Sequence, residues 1–494
     1  MLTPSTKKWL MFVLRWGVAV AGIAWVLANT SFQDRLLLVD RGNELVAVPV
    51  LHDPPPDASR FEIYDTRADA PSPREHFIDR DEVWTRPGQR TVKLWDAPGK
   101  IESAKLLAIR PGASGGPGQQ AKELLVRDPN TRKARRIGPQ SVVGGYSMRV
   151  PYPLVDIGLI RLVKQANLTY FIAALLLMPL TYLITSRRWH LLLEAMDIHL
   201  TQSRTFVINM VGAFYNTFMP GSTGGDLIKA YYAAKHTTHK VRAVLSVIVD
   251  RVIGLLALIV LGGVMASIQW HVRECQHVAI ACGLMILMTI VGLVVFYHPT
   301  WRRLTGLDWL LKKLPMQRHV HHAVEAMELY GKRPVAAGTA LVMTFPVHII
   351  TIISATLAGL AFGLKMNLLY YWTVVPVLAL VGAIPISPQG VGVMESFAVV
   401  LTARQGVTVS QAIALAMSIR IAQMLWNLVA GIFVLRGGYH APTESEQEEM
   451  EQDDDEPDAH GTEGNASTAG FSRDATAERF PPGVAESAPL PRRG

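Results

Sequence analysis

Cysteine is almost absent from this 494-residue chain: only Cys275 and Cys282 occur, the second inside an apolar run. Two thiols so placed encode neither a disulfide framework nor a cysteine-based zinc site. The chain also has no P-loop, no nucleophile elbow and no H-E-x-x-H, which excludes the common motif-bearing hydrolases and nucleotide enzymes. Gly390-Val-Gly392 followed by Glu395 is not a dinucleotide fingerprint, because the third glycine and the preceding strand are missing. The histidines at 236, 239, 319, 321 and 322 sit among lysines and arginines without an acid at ligand spacing. They are read as solvated interfacial groups, and no metal or cofactor is expected. Acid is scarce as well, except at the end. Residues 441–494 hold 14 of the 40 acids and 4 of the 48 bases, which leaves 44 bases against 26 acids elsewhere.

What is abundant is apolar side chain. Half of the residues are hydrophobic and the mean hydropathy is +0.23, too apolar for an ordinary soluble enzyme. The sequence therefore predicts an all-α polytopic protein of the inner (cytoplasmic) cell membrane. The basic body suits anionic lipid head groups and cytoplasmic loops. Nucleic acid is not expected as a partner, since the bases flank helices and form no aromatic-interleaved stripe.

Four regions follow from the hydropathy pattern. Residues 1–29 form an N-terminal anchor, apolar over 9–28 and preceded by Lys7 and Lys8; a cleaved signal peptide ending at Val26-Leu27-Ala28 is the alternative. Residues 30–160 carry short strand-like runs at 35–39, 44–50, 61–64, 91–95 and 104–109 between turn signals, and predict a small β-rich extracytoplasmic insertion. A poorly ordered insertion is the alternative, because Pro and Gly are dense over 111–118. Residues 161–440 form the main transmembrane domain. With the anchor, about eight spans are expected: 9–28, 168–185, 242–268, 278–297, 335–364, 368–384, a short 392–403, and 411–435. Basic clusters at Arg187 and Arg188, over 235–242, over 302–318 and at Lys332 and Arg333 are assigned to the cytoplasm. Residues 441–494 read as a disordered acidic tail, and truncation after Tyr439 is expected to leave stability unchanged.

Two stretches interrupt this apolar sequence: FYNTFMPGSTGGD over 214–226 and IPISPQGVGVME over 384–395. An unwound backbone in hydrocarbon leaves its N–H and C=O groups unpaired, so such breaks persist only inside protein or beside a polar cavity. Occurring in corresponding places of two halves, they predict re-entrant broken helices around a substrate site; close helix packing is the plainer use of the glycines. Ionisable groups at membrane depth cost ~2.5 to 3.5 kcal/mol each, so they are functional by default. The candidates are Asp226, Lys229, Asp250, Arg251, Glu395 and Arg420. Asp250 and Arg251 are adjacent, face different sides of a helix and need separate partners. Pairing Arg251 or Arg420 with Asp226 or Glu395 in the empty protein, and with a lipid phosphate in the occupied one, is an economical arrangement; a structural ion pair is the alternative. Gly221, Gly224 and Gly225 can offer backbone N–H groups to a phosphate at the start of a helix. Gly390 and Gly392 accompany the second break, and Asn216 and Ser387 are either polar wall groups or helix-stabilising hydrogen bonders.

Together these residues resemble the lysylphosphatidylglycerol synthase transmembrane family of flippase-like membrane proteins. The resemblance runs over about 167–435 and rests on Arg188-Trp189, Asn216, Pro220-Gly221, Gly224-Gly225-Asp226, Asp250-Arg251, Ile384-Pro-Ile-Ser-Pro388, Gly390-Val-Gly392 and Glu395, in that order. Lys229 stands where the family commonly has arginine, Asp250 where glutamate is frequent, and the β-rich insertion is foreign to compact members. The resemblance implies a protein that translocates a membrane lipid, either an anionic phospholipid or a polyprenyl-linked glycan. Bifunctional relatives carry a soluble aminoacyl-transferase domain after the membrane region, where this chain has its acidic tail, so synthesis of the lysyl-lipid is not expected. A scaffold for envelope enzymes and a membrane-embedded lipid-modifying enzyme are the alternatives.

Overall fold

The computed structural model describes residues 17, 20–28, 30–52, 58–72, 74–85, 91–97, 100–111, 121–128, 131–143, 146, 154–218, 224–237, 239–305, 328–384 and 390–440. A helix over 20–28 leads into nine strands: β1 Arg35–Val39, β2 Leu45–Pro49, β3 Arg60–Tyr64, β4 Glu75–Asp79, β5 Thr91–Ala97, β6 Lys100–Arg110, β7 Glu123–Arg127, β8 Ala134–Ile137 and β9 Val155–Asp156. They form sheets in the orders β2-β1-β9, β3-β4 and β5-β6-β7-β8, and the pairings are antiparallel.

The sequence of each strand follows from what covers it. β1 reads RLLLV without alternation because both of its faces are covered. Leu36 and Leu38 pack with Phe61 and Ile63, whereas Leu37 and Val39 pack with Trp84 and Leu125. β3 reads RFEIY and alternates, since only Phe61 and Ile63 point inward. Single bridges, Leu37 to Trp84 and Thr85 to Ile109, tie the first sheet to the third.

Both ends of this β-rich region are fastened together. Asp34 is buried and accepts the Gly158 N–H at 2.7 Å and an Arg161 guanidinium N–H at 2.5 Å. Ser31 C=O accepts the Leu159 N–H at 2.7 Å. A side chain at Gly158 would meet Phe32 O and the Gln33 backbone, both at 2.5 Å, so glycine alone fits.

The helices that follow are α1 Leu159–Lys164, α2 Leu168–Glu194, α3 Gln202–Phe218, α4 Gly224–Ala234, α5 Lys240–Ile268, α6 Arg273–Tyr297, α7 Pro299–Leu304, α8 Pro334–Ala361, α9 Leu368–Ala383, α10 Val393–Thr402, α11 Val409–Val429 and α12 Gly431–Gly437. Their starts carry the expected caps: Asn167 accepts N–H groups of Thr169 and Tyr170, and Thr408 exchanges bonds with Gln411. Five segments are long and apolar enough to cross a membrane: Leu168–Glu194, Lys240–Ile268, Arg273–Tyr297, Pro334–Ala361 and Val409–Gly437. The expected count of eight is not confirmed among the described residues. α9 and α10, with 16 and 10 residues, reach only ~24 and ~15 Å against a hydrocarbon thickness of ~30 Å. Of the anchor, residues 20–28 are described as helix and most of 9–19 lies outside the described residues.

Two apolar cores organise the bundle. One gathers Trp189 and Leu193 of α2, Ile208 of α3, Tyr231 of α4 and Val247 of α5. The other gathers Leu261 of α5, Cys275 of α6, Ile352 of α8, Tyr371 of α9, Ala398 of α10 and Leu415 of α11. α6 is little enclosed, with Leu287 and Met288 among its many exposed apolar residues, as expected for a helix that faces lipid.

Candidate functional site

Each break lies between two helices that pack against each other. In the first, α3 and α4 pack side by side and the Gly225 N–H donates to Asn216 Oδ1 at 2.8 Å. Asn216 therefore satisfies one of the orphan donors of α4, which favours the stabilising role over the wall role. Any Cβ on Gly225 would run into the Gly212 carbonyl. In the second, α9 and α10 pack likewise, and Gly390 and Gly392 adopt φ of +69° and +82°, where L-residues are strained. Glu395 reaches back one turn, its Oε2 accepting the Gly392 N–H at 2.8 Å. The N-terminal helix leans on this turn: a Cβ on Gly22 would lie 2.7 Å from Val391 O and 2.9 Å from Gly392 Cα. Gly224 opens α4 and is buried. Gly221 and Ser387 lie outside the described residues.

Each hairpin presents an acid at the start of its short helix to an arginine on the next long helix. Asp226 pairs with Arg251 of α5. Glu395 pairs with Arg420 of α11 through a forked contact, 2.5 Å to Oε1 and 3.3 Å to Oε2. The interval is 25 residues in both cases. Arg251 follows the start of α5, and Arg420 the start of α11, by the same number of residues, about 16 Å along each axis. The chain beyond α12 returns to the end of α4, a short loop before α5: Tyr232 OH donates to His440 O and accepts the His440 N–H, both at 2.8 Å. The end of the α11–α12 segment therefore lies near the start of α5, and the two long segments run in opposite directions.

The pairs differ in access. Asp226 and Arg251 side chains are 23% and 30% exposed, while Glu395 and Arg420 are 1% and 11% exposed. The first pair can be reached by a ligand without rearrangement; the second is sealed.

A third group of charges lies beside the first hairpin. Arg188 Nε donates to Asp250 Oδ1 at 2.8 Å and its Nη1 to Thr344 Oγ1 at 2.9 Å. Lys229 Nζ stands 3.4 Å from Asp250 Oδ2 and 4.4 Å from the Trp189 ring centroid. Asp250 and Arg251 indeed take different partners, as their adjacency on a helix requires. The assignment of Arg188 to a cytoplasmic basic cluster is corrected: α2 runs on to Glu194 and carries Arg188 into the interior, where Asp250 offsets its charge. Arg187, one position earlier, stays exposed. The sequence marked Arg188 and Trp189 only as a motif of the resemblance and did not single out Thr344 as part of the site. The signal for the first two was an arginine beside tryptophan at the polar end of an apolar run.

These features define a multi-pass α-helical membrane protein with two broken hairpins and interior ion pairs. The chain belongs to the lysylphosphatidylglycerol synthase transmembrane-region family, whose profile matches residues 156–431, more than half of its length. It is 23% identical over 270 residues to a UPF0104 membrane protein of Methanothermobacter thermautotrophicus, covering 50% of this chain and 79% of that one. It is 21% identical over 303 residues to the UPF0104 membrane protein PH1989 of Pyrococcus horikoshii, covering 56% of this chain and 90% of that one. No solved structure matches the chain.

Proposed function

We propose that the protein translocates a lipid with an anionic, phosphate-bearing head group across the cytoplasmic membrane. The observation that supports this most is the Asp226–Arg251 pair, which is partly open at a broken hairpin and repeated at the same chain interval by Glu395–Arg420. A guanidinium held by one carboxylate exchanges that partner for a phosphate with little change in geometry, since both offer two oxygens to its planar fork. The carboxylate keeps the arginine positioned and neutralised in the empty state, when a lone charge in hydrocarbon is most costly. An anionic phospholipid and a polyprenyl-linked glycan share the phosphate chemistry that Arg251 recognises. Reconstitution in liposomes with fluorescent forms of each tests the proposal. Faster movement between leaflets than in Arg251→Gln liposomes is expected; equal rates in protein-containing and empty liposomes overturn it.

A second function, a scaffold for an envelope enzyme, is favoured by one feature of the β-rich region. Phe77 and Tyr64 are 65% and 40% exposed on the outward face of the β3–β4 hairpin, and exposed aromatic surface of this kind marks contact sites. Co-purification that depends on Phe77, with no lipid movement, would favour the scaffold.

A further inference from the structure

The cluster of Arg188, Lys229 and Asp250 holds two positive groups and one negative group, and none of the three side chains is more than 10% exposed. Arg188 is well served, with one bond to the carboxylate and one to Thr344, and a guanidinium keeps its charge in any protein setting. Lys229 is not. Its ammonium has three donors but a single long contact to Asp250, supplemented by the Trp189 ring. With Lys229 charged, the cluster carries a net positive charge inside the bundle. With Lys229 neutral, Arg188 and Asp250 balance each other.

The surroundings supply no second counter-charge among the described residues. α2 presents Arg188 and the Trp189 ring, α5 presents Asp250, and α3 presents Gly212, which packs on the Lys229 stem. α8 presents Thr344 to Arg188, and His348 is occupied with Gly254 O at 3.0 Å. The Tyr330 hydroxyl, ahead of α8, donates to Leu192 O. Asp226, one turn before Lys229 on α4, is taken by Arg251. Two clasps therefore hold α4 against α5, Asp226 to Arg251 and Lys229 to Asp250, with neighbouring attachment points on both helices.

We propose that Lys229 is a proton-exchanging site, and that loss of its proton to water opens the second clasp and frees the first hairpin to move. The link between this clasp and lipid movement rests on the translocator function proposed above; the proton site itself rests on the charges counted here.

The full chain in detergent provides the first measurement. Trp189 emission, taken as the difference between the wild type and Trp189→Phe, is followed between about pH 5 and about pH 10, a range that brackets a lysine destabilised by burial. One titration step is expected in the wild type. It disappears in Lys229→Arg, which stays charged, and in Lys229→Met, which is never charged. No step in the wild type, or a step that survives in Lys229→Arg, overturns the proposal. Potentiometric titration of the wild type against Lys229→Met repeats the test without altering Trp189: one additional proton released per chain is expected, and equal release overturns it.

Liposomes with an imposed pH gradient provide the second measurement, read with fluorescent anionic phospholipid. A rate that responds to the gradient in the wild type but not in Lys229→Arg supports the coupling. Lipid movement indifferent to the gradient overturns it. Titration without any lipid movement leaves the proton site standing and overturns the translocator function instead, so the two failures are distinguishable.

Discussion

Glu395 is held by Arg420 across 25 residues of chain, and Asp226 by Arg251 across the same interval. Each acid stands at the start of a short helix and each arginine stands at the same position within the long helix that follows, so one arrangement of charges occurs twice in the chain. Membrane transporters built from such repeats place their substrate where the broken helices meet.

The arginines should be separable from stability. Arg251→Gln retains hydrogen-bonding capacity and removes the charge, so translocation should fall by at least about tenfold, equivalent to ~1.4 kcal/mol, with the protein still inserted. Arg420→Gln should do the same. Normal rates in two stably inserted variants would remove arginine from the mechanism.

The acids should differ from one another. Glu395 is sealed and also accepts the Gly392 N–H, so Glu395→Ala should cost about 3 to 5 kcal/mol, as for other broken buried pairs. Asp226→Ala should cost about 1 kcal/mol or less, because its partner remains accessible to water. Melting temperatures in one detergent compare the two, and equal losses would contradict the difference in burial. Neutralising both partners of the second pair should recover part of the loss.

Acid should loosen the β-rich region through Asp65. Its side chain is covered, and burial alone would raise its pKa. Hydrogen bonds from the Arg67 side chain and backbone, with the Arg67 and His76 charges, outweigh that and hold it below the ordinary 3.8. A folded value below the unfolded one adds stability that is complete above the unfolded pKa and disappears as pH falls through the folded one. Proteolysis of the full chain across β3–β4 should therefore accelerate below about pH 4. In Asp65→Asn it should already be faster at neutral pH and respond less to acid.

Topology follows from the cytoplasmic assignment of the basic loops. A cysteine in place of Ser103, exposed on β6, should react with an impermeant reagent on intact cells, whereas one in place of Ser445 should not. The opposite pattern would invert the orientation.

A truncation that removes the acidic tail should keep His440. Tyr232 holds both backbone groups of His440, and its ring stacks edge-on against Tyr439 with centroids 4.8 Å apart. Truncation after His440 should leave the melting temperature unchanged, while truncation after Gly438 should lower it by removing these contacts.

Much of this was legible because polar residues in an apolar chain have few uses. The breaks announced themselves through glycine and proline, and the neighbouring charges Asp250 and Arg251 had to find different partners. Membership of the family was equally open, since its motifs occur in order along the sequence. Arg188 was misplaced for a reason of context: after Arg187 it looks like the end of a span, and only the carboxylate of Asp250, 62 residues further on, draws it inside. Strands with covered faces, such as β1, betray themselves by apolar runs. β4 and β8, reading EHFID and ARRI, have one apolar inward residue or one at the end, and are strands chiefly because β3 and β7 pair with them. Hydropathy marked the apolar segments of 16 and 10 residues as spans, although each is shorter than the helices long enough to cross a membrane.

The fastening of Asp34 to Gly158 and Arg161, with Ser31 bonded to Leu159, gives the β-rich region the character of an exchangeable cassette. Its entry and exit points are already neighbours, so a short glycine-containing bridge from Ser31 to Gly158 would close the gap without stretching the membrane helices. Closing so short a loop costs little chain entropy. Foreign folds whose own termini lie close together could be grafted at the same doorway, which turns this part of the chain into a place where new binding specificities can be installed on an unchanged helical bundle.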